Sequence, residues 1–292
     1  MILKKGIHIH IIHSLDRPWN EMMLGLEAWI PLYMTGQITP YYLENSQKGV
    51  YTNGLMVAGT AALIGEGVSG FPEDSKYYVT TNKDEITYYR RKADNLLRCA
   101  APLMEIYREN MGPQFCSVLN RLVDIKGDRY VINHTLPITT ISDKLFFSIM
   151  QRNAVKRELA EKLWEDILDS KRRLETILEN NIATDDIPLI SEENFGREKI
   201  ALSLSNMFFP TPVYYTYEDY CEHLALTEKF AREHENYKVV KSSKRVFRNI
   251  KISVIGDQAV LISKDKTPTI HFVIRHPRLI SAISGFEAIV RE

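Results

Sequence analysis

Hydrophobic and polar positions follow two periods along this chain, and the changes between them mark its elements. Gly6-Ile-His-Ile-His-Ile-Ile-His13 alternates and is rich in β-branched residues, which predicts a strand. Pro18 stands near the first position of a helix in which Met22, Met23, Leu26, Trp29, Ile30 and Tyr33 share a face. Gly36 ends that helix, and Ile38 to Leu43 returns to strand. Leu55 to Ile64 is an apolar run of small residues closed by the glycine-rich stretch Gly65 to Gly70, and Lys76 to Thr81 gives a further strand. Asp84 to Arg108 then reads as one helix, with Ile86, Tyr89, Ala93, Leu96 and Leu97 on its buried face.

The middle of the chain changes character. Asp143 to Asn180 predicts nearly continuous helix, with Val155, Leu159, Leu163, Ile167 and Leu168 as its apolar stripe and dense mixed charge elsewhere. Such a stripe suits the protein's own core or a partner helix in a dimer. Asn181 to Gly196 is polar, holds Pro188, and reads as a linker. Beyond it, Tyr217 to His234 predicts a helix and Tyr237 to Val240 a short strand. Ile250 to Ile255 and Ala259 to Ser263 form a hairpin around Gly256-Asp257, followed by a strand at Ile270 to Ile274 and a helix at Pro277 to Ile289.

The early order of elements therefore returns at the end of the chain. A shift of 198 residues lays VAGTAALI, Val57 to Ile64, over IGDQAVLI, Ile255 to Ile262, with Ala61, Leu63 and Ile64 matching Ala259, Leu261 and Ile262. The pattern predicts an α/β protein of two similar lobes, 1–142 and 197–292, joined by a helical insertion and linker at 143–196.

Composition narrows the functional classes. Lys+Arg and Asp+Glu each number 37, so no basic excess marks this chain for DNA or an anionic membrane. No run approaches 18 apolar residues, so no membrane span is expected. Cys99, Cys116 and Cys221 are far apart, without CxxC spacing, and point to a reducing cytoplasmic setting without a zinc ribbon.

The lobe pattern resembles the phospholipase D superfamily, in which two α/β lobes share one active site. The resemblance rests on Gly6-Ile-His-Ile-His-Ile-Ile12, the helix after it, and Gly36-Gln-Ile-Thr-Pro-Tyr-Tyr-Leu43, and covers about the first 110 and last 75 residues. Enzymes of that family carry HxKxxxxD with a later Gly-Ser, their histidines acting as nucleophile and general acid on a phosphodiester. The corresponding positions here are Tyr51, Asn53 and Ala58 in one lobe and Asn249, Lys251 and Gly256 in the other. Lys251 and the later Gly65 agree with the motif; both nucleophiles are missing, so the alignment implies no catalytic residues. The chain also resembles C-terminal effector regions of helix-turn-helix regulators from Gram-positive bacteria, through Trp29-Ile-Pro-Leu-Tyr33 and His271-Phe-Val-Ile-Arg-His-Pro277. No helix-turn-helix signature is evident, so DNA would be reached only through a separate or missing domain.

Several groups remain as candidate ligand contacts. His8-x-His10 puts two imidazoles on one face of a strand, suited to hydrogen bonding in a lobe interior or, with further ligands, to a metal hydrolase. Arg17, in Asp16-Arg17-Pro18-Trp19, and Arg275, in Arg275-His276-Pro277-Arg278, sit at corresponding strand-to-helix corners that attract anions. The aromatic cluster Phe208, Phe209, Tyr214, Tyr215, Tyr217 and Tyr220 reads as core or as an apolar pocket. Gly65-x-Gly67-x-x-Gly70 is not a dinucleotide loop, because Phe71-Pro72 and a strand follow it. The resulting expectation is a ligand-sensing and dimerising module of a bacterial transcription regulator. It would hold a small anion in a cleft of His8, His10, Arg17, Tyr51, Asn53, Asn249, Lys251 and Arg275, with no metal and no cofactor. The alternatives are a metal-dependent hydrolase built on His8 and His10, and a structural interaction scaffold.

Overall fold

The structure, a computed structural model, describes residues 7–15, 32–44, 51–68, 70–197, 199–203, 212–242, 249–264 and 269–290. Arg17 and its neighbours Asp16, Pro18 and Trp19 lie outside the described residues, as do Phe208 and Phe209 and most of the helix expected before Gly36. The protein is mixed α/β and divides into two compact units, residues 1–103 and 104–292.

In the first unit, β1 (Ile9–His13) and β2 (Ile38–Tyr42) pair in parallel, and β6 (Ala101–Pro102) adds to β2 antiparallel. The 24 residues between β1 and β2 meet the length that a parallel crossover needs. Tyr33, Met34 and Ile38 are buried beside this pair. A separate antiparallel meander follows, made of β3 (Tyr51–Ala58), β4 (Ala61–Val68) and β5 (Phe71–Thr80). The apolar run of the sequence is thus a hairpin, turned at Gly59 with φ +55.

Helix α1 (Lys83–Cys99) packs on β3 and β4, where Ala62 and Ile64 are buried. Asn82 caps it, its side chain accepting from the amides of Asp84 and Glu85. Ile86 is buried and Tyr89, Ala93 and Leu97 are half-buried at helical spacing, whereas Leu96 is exposed. The helix expected to reach Arg108 stops at Cys99. Pro102 has no amide to donate and rejects helical backbone before it, so Ala100 turns extended and the chain enters β6 and β7 (Glu105–Arg108).

The second unit is built on a seven-stranded sheet in the order β10-β9-β8-β11-β12-β13-β7. Strands β8 (Arg129–Ile132), β9 (Ala183–Pro188) and β10 (Tyr237–Ser242) run parallel. Strands β11 (Ile250–Ile255), β12 (Ala259–Lys264) and β13 (Ile270–Ile274) form an antiparallel meander, with β11 joined antiparallel to β8 and β13 to β7. Between β7 and β8 lies α2 (Gly112–Val123), for which the sequence pattern gives no expectation. Helices α3 (Asp143–Arg152) and α4 (Arg157–Leu178) connect β8 to β9; α5 (Glu192–Arg197) and α6 (Tyr217–Glu233) connect β9 to β10; α7 (Pro277–Val290) follows β13.

Two sequence expectations change here. The helix over 143–180 is broken at Asn153-Ala154, where Ala154 has φ +55. Of its expected stripe, Leu163 and Ile167 are fully buried while Leu159 and Leu168 are exposed; Ala160 completes the buried face. That face packs with Leu145, Phe146, Ile149 and Met150 of α3 against Ile187, Tyr215 and Tyr220. Tyr215 and Tyr220, from the aromatic cluster, are therefore core. The polar stretch read as a linker supplies β9, an interior strand whose Asp185 and Asp186 are both buried.

The 198-residue shift also has a structural counterpart. Ala61 and Ala259 each open the second strand of an antiparallel hairpin, and each meander leads into a helix, α1 or α7.

Candidate functional site

Pairing across the seven-stranded sheet places one polar side chain from every strand in a single band on one face. Lys251 on β11 lies opposite Ser263 on β12, Ser263 opposite His271 on β13, and His271 opposite Tyr107 on β7. On the other side of Lys251, Ile252 pairs with Ile132, so Asn133 at the end of β8 is next in register. Asn133 donates to Oδ1 of Asp185 on β9 at 2.7 Å, and the Tyr237 hydroxyl on β10 donates to Oδ2 at 2.5 Å. Lys251 is half-buried and the other six are buried. The band meets the carboxyl end of β8 at Asn133 and slants across the sheet, through the middle of β9 at Asp185, to the first residue of β10 at Tyr237.

Most of these groups have partners. Asp185 is satisfied on both oxygens, and the neighbouring Asp186, on the opposite face, accepts from Tyr130 at 2.9 Å and Ser242 at 2.5 Å. Burial, and then the Asp185 carboxylate, push the Tyr237 hydroxyl well above its ordinary range, so it stays a donor. Ser263 Oγ and His271 Nδ1 are 2.9 Å apart, and Phe115 of α2 stacks on the His271 ring with centroids at 3.8 Å. Lys251 differs. Its ammonium makes no hydrogen bond or ion pair to any described residue, although it stands in the middle of the band.

At the β7 end, Tyr107 also lines an open groove of about 630 Å³ with Met111, Pro113, Gln114, Ser117 and Arg121. Beside it, Glu105 accepts from Tyr107 at 2.5 Å and from Arg275 Nε at 3.0 Å. Burial alone raises the Glu105 carboxyl; the bonds from Tyr107 and Arg275 and the nearby Arg121 charge outweigh it and hold Glu105 below its usual range.

The residues expected to form one cleft are divided between the two units. Asn249, with φ +60, immediately precedes β11, and Lys251 is its second residue. Arg275 lies four residues beyond His271 along its strand direction, about 13 Å down the sheet, and is paired with Glu105. Within the second unit, Arg275 is thus not brought to Lys251. In the first unit, His8 and His10 stand at β1, while Tyr51 and Asn53 belong to β3 of the separate meander, paired with Val68 and Glu66. Among the described residues no three His, Cys, Asp or Glu side chains gather as a metal-ligating group. No helix among the described residues is long and apolar enough to cross a membrane.

Sequence reasoning picked out Lys251 but missed Asn133, Asp185, Tyr237 and Ser263. Asn133 and Asp185 are 52 positions apart, as are Asp185 and Tyr237, so no local motif announces the band. No protein-family model matches the chain, and no curated protein matches it.

Proposed function

We propose that the chain is a non-catalytic ligand-sensing and dimerising module of a bacterial transcription regulator, made of two phospholipase-D-like lobes, which reads a small anion at Lys251. The observation that carries this reading is half-buried Lys251, whose ammonium pairs with no described residue and which lies beside Asn133 at the carboxyl end of β8. A cation in a band whose one carboxylate, Asp185, is already satisfied by Asn133 and Tyr237 gains a strong charge-assisted contact when an anion arrives. The paired meander-and-helix arrangements support the two-lobe part of the reading. The regulatory setting rests on the resemblance to effector regions, with DNA contacted by a separate domain.

Dimerisation is assigned to the first unit. Met56, Leu63 and Val79 face one another across β3, β4 and β5, and all three are exposed, forming an uncharged row of the kind that marks interaction surfaces.

A thermal-shift screen of common anionic metabolites tests the ligand, comparing the protein with Lys251→Met and Arg121→Ala. An anion that stabilises the protein should bind about ten-fold or more weaker to Lys251→Met, the loss typical of a charged hydrogen bond. Equal binding by Lys251→Met, with loss in Arg121→Ala, moves the ligand to the groove beside Tyr107 and overturns the assignment.

A further inference from the structure

We propose that His8 and His10 form a two-imidazole site for a divalent first-row transition metal, with Thr39 fixing the orientation of His8. The inference concerns the first unit alone and is independent of the anion reading. Residues 8 and 10 are two apart at the start of β1, so their side chains leave the same face. Both are exposed, and their rings lie with centroids 5.0 Å apart, tilted by 58°.

That spacing is the one a shared ion requires. Two imidazole nitrogens about 2.1 Å from one metal, at an angle between about 90° and 110°, put their ring centroids about 4.5–5.2 Å apart. The existing separation falls in this interval, so binding needs rotation of rings and little movement of backbone.

Thr39 on β2 pairs with His10 in register, and its Oγ1 lies 2.7 Å from His8 Nε2. When Nε2–H donates to that hydroxyl, Nδ1 is the ring nitrogen that carries the lone pair. A hydrogen bond behind a ligating histidine is the usual device for orienting it and raising its basicity. Tyr41 packs near His10, with centroids at 5.8 Å, and limits the swing of the second ring. Two protein nitrogens leave the other positions to water, and imidazole ligation favours copper, nickel or zinc over magnesium or calcium.

The test is calorimetric titration of the full chain with zinc chloride. The exposed thiols Cys99, Cys116 and Cys221 are replaced by serine, or alkylated on the wild-type chain if that variant fails to fold. Circular dichroism checks each protein. One ion should bind per chain, with affinity falling about ten-fold or more in both His8→Ala and His10→Ala, and about ten-fold in Thr39→Val. Copper(II) electron paramagnetic resonance should show two nitrogen ligands, reduced to one in either histidine variant. Unchanged affinity in either histidine variant, or an equal loss on His13→Ala, overturns the proposal.

Discussion

The Asn133 side-chain amide reaches from the end of β8 to Oδ1 of Asp185 on β9, at 2.7 Å. It closes the contact between two parallel strands just beyond their last paired residues, Ile132 and Asp186. The same carboxylate takes the Tyr237 hydroxyl from β10 on its other oxygen. One buried charge thus ties the end of β8, the middle of β9 and the start of β10, and its two donors sit far away in sequence. Burying a carboxylate is tolerable only with such donors in place, because the desolvation cost otherwise exceeds what packing returns.

Removing one donor should therefore cost more than an average hydrogen bond. Tyr237→Phe and Asn133→Ala are each expected to destabilise the protein by about 1.5–3 kcal/mol in urea unfolding, the range for bonds to charged groups. Because both serve one carboxylate, the double variant should depart from the sum of the singles by more than about 0.5 kcal/mol. Strict additivity would mean that Asp185 draws its stabilisation from elsewhere.

His223 predicts a pH dependence. It is fully buried on α6, with Nδ1 2.7 Å from the Tyr215 hydroxyl and Nε2 3.2 Å from Thr140. Burial pushes the imidazole down to about 3, so the folded protein keeps it neutral while the unfolded chain titrates near the ordinary value of about 6.5. Below that ordinary value the unfolded state binds a proton that the folded state does not. Stability contributed by the neutral ring is complete above about pH 6.5 and is lost as pH falls toward 3, at about 1.4 kcal/mol per pH unit. Unfolding free energies between pH 7 and 5, where most carboxylates remain ionised, should fall with a slope that steepens toward this value below about pH 6. His223→Gln should flatten it.

How much of this was legible in the sequence depended on where each residue finds its partner. Strands β1 and β2, the β11–β12 hairpin, β13 and helix α6 were readable because each satisfies a local period with neighbours close in sequence. Strand β9 was not. Thr184-Asp185-Asp186 carries two charges in three residues and reads as solvated, and its burial becomes intelligible only through Asn133, Tyr130, Tyr237 and Ser242. Helix α2 was missed because Gly112-Pro113 opens it and no side chain caps it. Of the site, Lys251 came from alignment to a catalytic motif, whereas the band around it is a property of sheet register.

A second distant contact, Gly127 with Gly256, explains a glycine that local reading treats as an ordinary hairpin turn, Gly256, and one on which it is silent, Gly127. Gly127 has φ +121, and a Cβ built on it would stand 3.2 Å from the Gly256 Cα, backbone against backbone. The Gly256 amide donates to the Asp128 carbonyl at 2.8 Å, so the loop before β8 and the β11–β12 turn are held together. Gly127→Ala should cost about 1–3 kcal/mol by denaturant unfolding, from strain and from the displaced turn. Gly112→Ala is the contrast: its φ is −52 and a Cβ there meets nothing within 4 Å, so it should be neutral or stabilising. Equal effects at both positions would remove the close approach as the cause.

The break between α3 and α4 predicts a gain in stability. Val155 donates its amide to the Met150 carbonyl and Ala154 to that of Gln151, the pair of bonds that closes a helix when the residue after the cap is left-handed. That residue is Ala154, at φ +55, where an L side chain costs about 1–2 kcal/mol and glycine costs none of it. The turn is held in place by Asn153, whose side chain donates to the Tyr214 carbonyl at 2.9 Å and accepts from the Tyr214 amide at 3.0 Å. Ala154→Gly should therefore raise stability, by up to about 1 kcal/mol once the greater freedom of glycine in the unfolded chain is subtracted. Asn153→Ala should lower it, by leaving both Tyr214 backbone groups without those bonds. A loss on Ala154→Gly would mean that α3 and α4 continue as one straight helix in solution. The stripe from Val155 to Leu168 would then be set by a register other than the one that buries Ala160, Leu163 and Ile167.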